Sequence, residues 1–145
     1  MKQISALALV LFVLLLTTGC ASSLQAKKMP GTDLSKLKTF YVQKLAADGR
    51  GIEQVIASRL TYMGFIAASG AGETPSSPVD AIVTYQDKWM WDITMYMLQL
   101  SIQLRDPQTR MVLAIGDSMR TSLIRKSPEG MVDEVLTEIF KKGQP

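Results

Sequence analysis

Few residues in this sequence have the chemistry to react, ligate or titrate near neutrality. Its 145 residues include no histidine and a single cysteine, Cys20. The lack of histidine removes the commonest general base, the usual zinc ligand and every histidine-based triad. One cysteine excludes an internal disulfide and any CxxC metal or redox site. Asp87 and Asp92 bracket Lys88 and the Trp89-Met90-Trp91 triplet, and two carboxylates beside aromatic platforms is an arrangement glycoside hydrolases use. Their separation is odd, so a regular strand turns them to opposite sides. Of nine methionines, Met95 and Met97 alone have a spacing that suits thioether ligation, and core filling by a pliable side chain is the expected role. Asp48-Gly49-Arg50-Gly51, glycine-rich ahead of a helix, is a place where an anion could sit, although it lacks the spacing of a phosphate loop. No catalytic residue, cofactor or metal is expected, and the chain reads as a non-enzyme.

Tyr85, Trp89, Trp91 and Tyr96 form the one concentrated aromatic group. Such rings either fill the space between a sheet and its helices or anchor a partner at an interface. Charge favours no nucleic acid: 16 basic against 13 acidic residues is mild, and the basic ones are scattered.

Cys20 stands in a telling context. One positive charge, Lys2, precedes a 13-residue largely apolar run from Ile4 to Leu16, followed by Thr17-Thr18-Gly19-Cys20. The run is too short to cross a bilayer and suits an export signal. The segment resembles the lipobox of bacterial lipoproteins, with Leu16 one place ahead of the usual leucine and Thr17 in its position. That resemblance implies cleavage after residue 19, lipid on Cys20, and a membrane as the first partner. Acyl chains hold by transfer free energy, about 0.8 kcal/mol per buried methylene. The residue after the cysteine is Ala21 rather than Asp; by resemblance to Gram-negative lipoprotein sorting, this implies the periplasmic face of the outer membrane.

The rest of the chain must position these residues. Residues 20–35 are small, polar and broken by Pro30-Gly31, and read as a lipidated flexible tether of at most about 50 Å. Lys27 and Lys28, next to the lipid, could either touch anionic head groups or stay solvated as part of the tether. Residues 37–45 read as a strand, and Ile52, Val55, Ile56, Leu60 and Met63 as one face of a helix stopped by Gly64. Residues 69–80 read as a polar loop. Residues 81–92 predict a strand with Val83, Tyr85, Trp89 and Trp91 on one side. Residues 95–105 alternate, with Tyr96, Leu98, Leu100, Ile102 and Leu104 inward. After a turn at Asp106–Thr109, residues 110–119 return with Met111, Leu113, Ile115 and Met119 inward. Ser127 and Pro128 open a helix whose stripe is Met131, Val132, Val135, Leu136, Ile139 and Phe140.

The order β-α-β-β-β-α over residues 36–142 gives a single α+β domain. It is expected as a two-layer sandwich with a mixed four-stranded sheet and both helices on one face. Leu60–Phe65 (LTYMGF), Asp80–Val83 (DAIV) and Leu100–Thr109 (LSIQLRDPQT) carry a resemblance to small Gram-negative lipoproteins of unknown function. More distantly the domain is similar to lipoproteins that activate peptidoglycan synthases or build curli secretion pores. The resemblance supplies no catalytic residue. It implies a non-enzymatic binding or envelope-maintenance module, with another envelope protein or peptidoglycan machinery as partner. The alternative is a carrier of a small apolar or lipidic ligand between sheet and helices.

Overall fold

A computed structural model describes residues 22–141. Its elements are β1 (Ser23–Lys28), a 3-10 turn at Leu34–Lys36, β2 (Thr39–Gln43), α1 (Ile52–Tyr62), β3 (Ile66–Gly70), β4 (Ala81–Asp92), β5 (Thr94–Arg105), β6 (Val112–Met119), a 3-10 turn at Ser122–Ile124 and α2 (Pro128–Ile139). The architecture is α+β, with one mixed sheet in the order β1-β6-β5-β4-β2-β3. β2 runs parallel to β3 and β4, and the remaining pairs are antiparallel.

The sheet has six strands, not the expected four. Both additions lie at its edges, where backbone pairing replaces side-chain burial as the reason to be a strand. β3, Ile-Ala-Ala-Ser-Gly, has no apolar alternation and follows Gly64, whose φ of +93° ends α1 in the left-handed region. β1 lies in the stretch that reads as a tether. Its polar sequence SLQAKK pairs over its full length with β6, from Ser23 opposite Met119 to Lys28 opposite Ala114. Lysines on such a strand discourage pairing with a further chain.

Both helices pack on one side of the sheet. Ile52, Ile56 and Leu60 of α1 and Met131, Val132, Val135 and Leu136 of α2 meet Phe40, Val42, Val83, Leu100, Ile102 and Leu104. Phe40, Phe65 and Phe140 close one end of this core, with ring centroids 4.8 to 5.9 Å apart. The aspartates of the DAIV and LSIQLRDPQT segments are structural: Asp80 ties the start of β4 to β2 by accepting from the Lys38 and Thr39 backbone N–H groups at 2.8 Å, and Asp106 holds the β5–β6 turn by accepting from that of Thr109 at 2.7 Å.

Two strand phases differ from expectation. On β6, Ala114, Gly116 and Ser118 face the helices and Leu113, at the bulge opposite Leu104 and Arg105, packs against the core as expected, while Ile115 and Met119 lie on the other phase and Met111 is exposed. α2 lies so close that a Cβ on Gly116 would come within 2.7 Å of Ile139 Cγ1 and 2.9 Å of Val135 Cγ1. Small side chains are therefore required beneath that helix. On β5, a bulge shifts the register between Lys88 and Trp89, so that Met97 takes the core position and Leu98 is displaced.

Candidate functional site

The distal half of the β4–β5 hairpin carries three of the four aromatic candidates, and the bulge decides where they go. Trp89 pairs with Met97 and Trp91 with Met95, on the core side of the ribbon; Tyr96 pairs with Met90 on the other side. The four rings therefore do not make one patch. Tyr85 is buried in the core. Trp89 is half-buried, donates its indole N–H to Asp87 at 2.5 Å, and lies under the Arg50 guanidinium at 4.1 Å. Tyr96 is buried outside the main core, with the Arg125 guanidinium 4.9 Å from its ring. Trp91 alone stands free, 70% exposed.

Around Trp91 the fold leaves further apolar groups in solvent. Ile93 at the hairpin turn is 87% exposed and Leu123 on the β6–α2 connection is 83% exposed, with Met90 and Met95 partly so. Ile93 also holds φ at +59°. That left-handed backbone is disfavoured for a β-branched residue. The connection is fastened to the turn: Ser122 donates its hydroxyl to Asp92, and Arg125 donates to Thr94 Oγ1 at 2.7 Å.

The same connection is fixed to the body of the domain through Glu134, which is buried on α2. Its carboxylate accepts from Ser118 Oγ, from Arg120 Nε at 3.0 Å and Nη2 at 2.5 Å, and from Lys126 Nζ at 2.5 Å. Burial alone would raise this carboxyl's pKa, yet the donors from Arg120, Lys126 and Ser118 hold it below its ordinary value. Sequence reading missed this cluster because its members come from β6, the connection and α2. The only signal was a glutamate breaking the apolar stripe of a helix.

A second buried cluster explains the glycine-rich turn. Asp48 accepts from the backbone N–H groups of Arg50 (2.6 Å), Gly51 (3.1 Å) and Ile52 (2.7 Å), and from the Tyr85 hydroxyl at 2.7 Å. Burial pushes its pKa up, but the hydroxyl and backbone donors outweigh this and bring it from 3.8 to about 2. Burial and the neighbouring carboxylate push Tyr85 well above its ordinary pKa. The place where an anion could sit at the start of α1 is thus taken by the chain's own carboxylate. Glu53 lies buried beside this cluster, 3.7 Å from Lys44 Nζ.

The remaining candidates do not converge. Asp87 holds the Trp89 indole, while Asp92 faces Ser122 and Arg125, so the two carboxylates share no substrate position. Met97 is in the core and Met95 is exposed, and no group of three or more metal-ligating His, Cys, Asp or Glu occurs among the described residues. Lys27 and Lys28 stand at the end of β1 away from its first residue. Cys20 lies outside the described residues. No helix among those described is long and apolar enough to cross a membrane.

On the side of the sheet away from the helices, Gln43, Thr84, Gln86 and Arg105 line an open cleft of about 470 Å³ with Glu73 and Arg110. Arg105 is committed there to Thr84 Oγ1 at 3.2 Å and to the Arg110 carbonyl at 2.9 Å. Thr84, Gln86, Ser101 and Gln103 make the middle of this face polar, whereas Tyr41 and Ile82 on the same side are buried, Tyr41 donating its hydroxyl to the Gly72 carbonyl.

No family model matches the chain, and no curated protein sequence matches it. Among solved structures it is similar to PelC from Paraburkholderia phytofirmans, determined as a dodecamer. The TM-score is 0.59 at 10% identity, covering 85% of this chain and all of that one. TolB from Acinetobacter baumannii aligns with a TM-score of 0.48 at 16% identity, covering 85% of this chain and 32% of that one. At 10% identity, the likeness to PelC is one of fold.

Proposed function

We propose that the chain is a lipoprotein of the outer membrane's periplasmic face, held by lipid on Cys20, whose domain works by binding and not by catalysis. Its partner is another envelope protein or the peptidoglycan machinery. The observation that carries this reading is how the surface is divided. The titratable groups of Asp48, Tyr85 and Glu134 are tied into structural hydrogen bonds, while contact surface faces outward: a polar sheet face and an apolar hairpin tip. Nothing favours the carrier alternative, since the layer between sheet and helices is filled by side chains such as Ile56, Leu60, Leu100 and Met131 at 0% exposure.

Metabolic labelling with a fatty acid tests the anchor, and a photocrosslinking residue at Gln86 or Ser101 in intact cells tests the binding face. The expected result is a labelled protein with a discrete protein adduct. An adduct of twice the chain's mass would make a second copy the partner. A labelled, folded protein with no adduct from either position would overturn the binding role.

A further inference from the structure

The start of β1 and the hairpin tip leave the sheet at the same end. Ser23 is opposite Met119, and Met119 is opposite Gln99, so the first residue of β1 lies level with Gln99 on β5. From Gln99 the hairpin runs five more residues outward to Thr94, about 16 Å at strand spacing. Cys20 precedes Ser23 by three residues, about 10 Å of chain at full stretch. Had residues 20–35 all been free, a lipid on Cys20 could have sat anywhere within about 50 Å. With β1 paired to β6, the anchor point stays within about 10 Å of Ser23, at the end of the sheet from which the tip projects.

We propose that the tip enters the surface of the bilayer that holds Cys20, with Trp91, Ile93 and Leu123 as a second, non-covalent membrane contact. This rests on the proposal of a lipid-anchored chain and names what its apolar tip touches. The projection past the level of Ser23 exceeds the anchor's reach by about 6 Å, and interfacial segments bury apolar groups about 5–10 Å deep. Tryptophan is a preferred side chain at that depth. Ile93 gains nothing from the fold, being exposed and in a backbone region unfavourable to it, so an apolar side chain there has its use outside the folded chain. The turn is held ready by Arg125 on Thr94 and Ser122 on Asp92, so little ordering is lost on contact. Near the tip Arg125 pairs with Asp92 while Arg120 and Lys126 share Glu134, and Lys88 and Arg50 add positive charge, so a modest attraction to anionic head groups accompanies the apolar contact.

The test uses the lipidated full chain carrying Trp89→Phe, which leaves Trp91 as the sole tryptophan, in phosphatidylethanolamine–phosphatidylglycerol vesicles with brominated acyl chains. Trp91 emission should shift to the blue and be quenched, and the reciprocal Trp91→Phe protein should lose that response. In the unlipidated Cys20→Ser form, Ile93→Asn should weaken vesicle partitioning about tenfold. A protein whose mass shows the fatty acid but whose Trp91 emission matches the free form overturns the tip contact alone. A mass without fatty acid overturns the anchored reading, and this inference with it. A blue shift that needs no vesicles and grows with protein concentration makes a second copy the occupant and also overturns it.

Discussion

Ile93→Asn should make the isolated domain more stable. Ile93 holds φ at +59°, where a β-branched residue costs about 1–2 kcal/mol and asparagine much less. At 87% exposure the isoleucine side chain returns almost no burial to offset that cost. The net gain is about 1 kcal/mol, which for a domain of this size raises Tm by about 4 °C. Thermal melts of the Cys20→Ser form, followed by far-ultraviolet circular dichroism, read this directly. Ile93→Val keeps the branched β-carbon and should leave Tm near the parent value. A drop of several degrees in the Ile93→Asn protein would refute the reasoning, because Ile93 would then be packing against the tip in solution. The same exchange weakens membrane contact if the tip is interfacial, so stability and partitioning should move in opposite directions.

Asp48→Asn should cost about 2 kcal/mol near neutral pH, since the folded carboxyl titrates at about 2 instead of 3.8. A depressed carboxyl stabilises the fold above its unfolded pKa and loses that contribution as pH falls through the folded value. The gap between parent and variant in urea unfolding should therefore narrow between about pH 4 and pH 2, and a gap constant over that window would count against the assignment. Gly116→Ala should destabilise by about 1–3 kcal/mol, because the added methyl meets Ile139 and Val135. Chemical denaturation checks it, and a neutral result would mean that α2 moves aside freely.

Where apolar periodicity and capping agreed, the sequence was readable. Ile52, Ile56 and Leu60 line the buried face of α1, and Ser127 caps α2 by accepting the Gly130 N–H at 3.1 Å. The β5 alternation held from Leu100 to Leu104 and failed at Leu98, where a bulge resets the phase without any mark in residue type. Beyond Leu113, β6 was misread because hydrophobicity pointed the wrong way: a closely packed helix needs small residues under it, and Ala114, Gly116 and Ser118 carry little apolar signal. β1 and β3 were missed because edge strands are held by backbone hydrogen bonds that any side chains permit. Trp91 was legible as a candidate but its exposure was not, since core and interface favour the same aromatic residues.

The pairing of β1 has a mechanical consequence. A pull applied at the start of the chain, along the strand and out of the sheet end where Ser23 lies, loads the β1–β6 ladder in shear. Its hydrogen bonds run across the strands and would share the load together, whereas a pull from the side would open them one after another. A domain joined to a moving surface through Ser23 is therefore attached in the direction in which a two-stranded ladder resists force best.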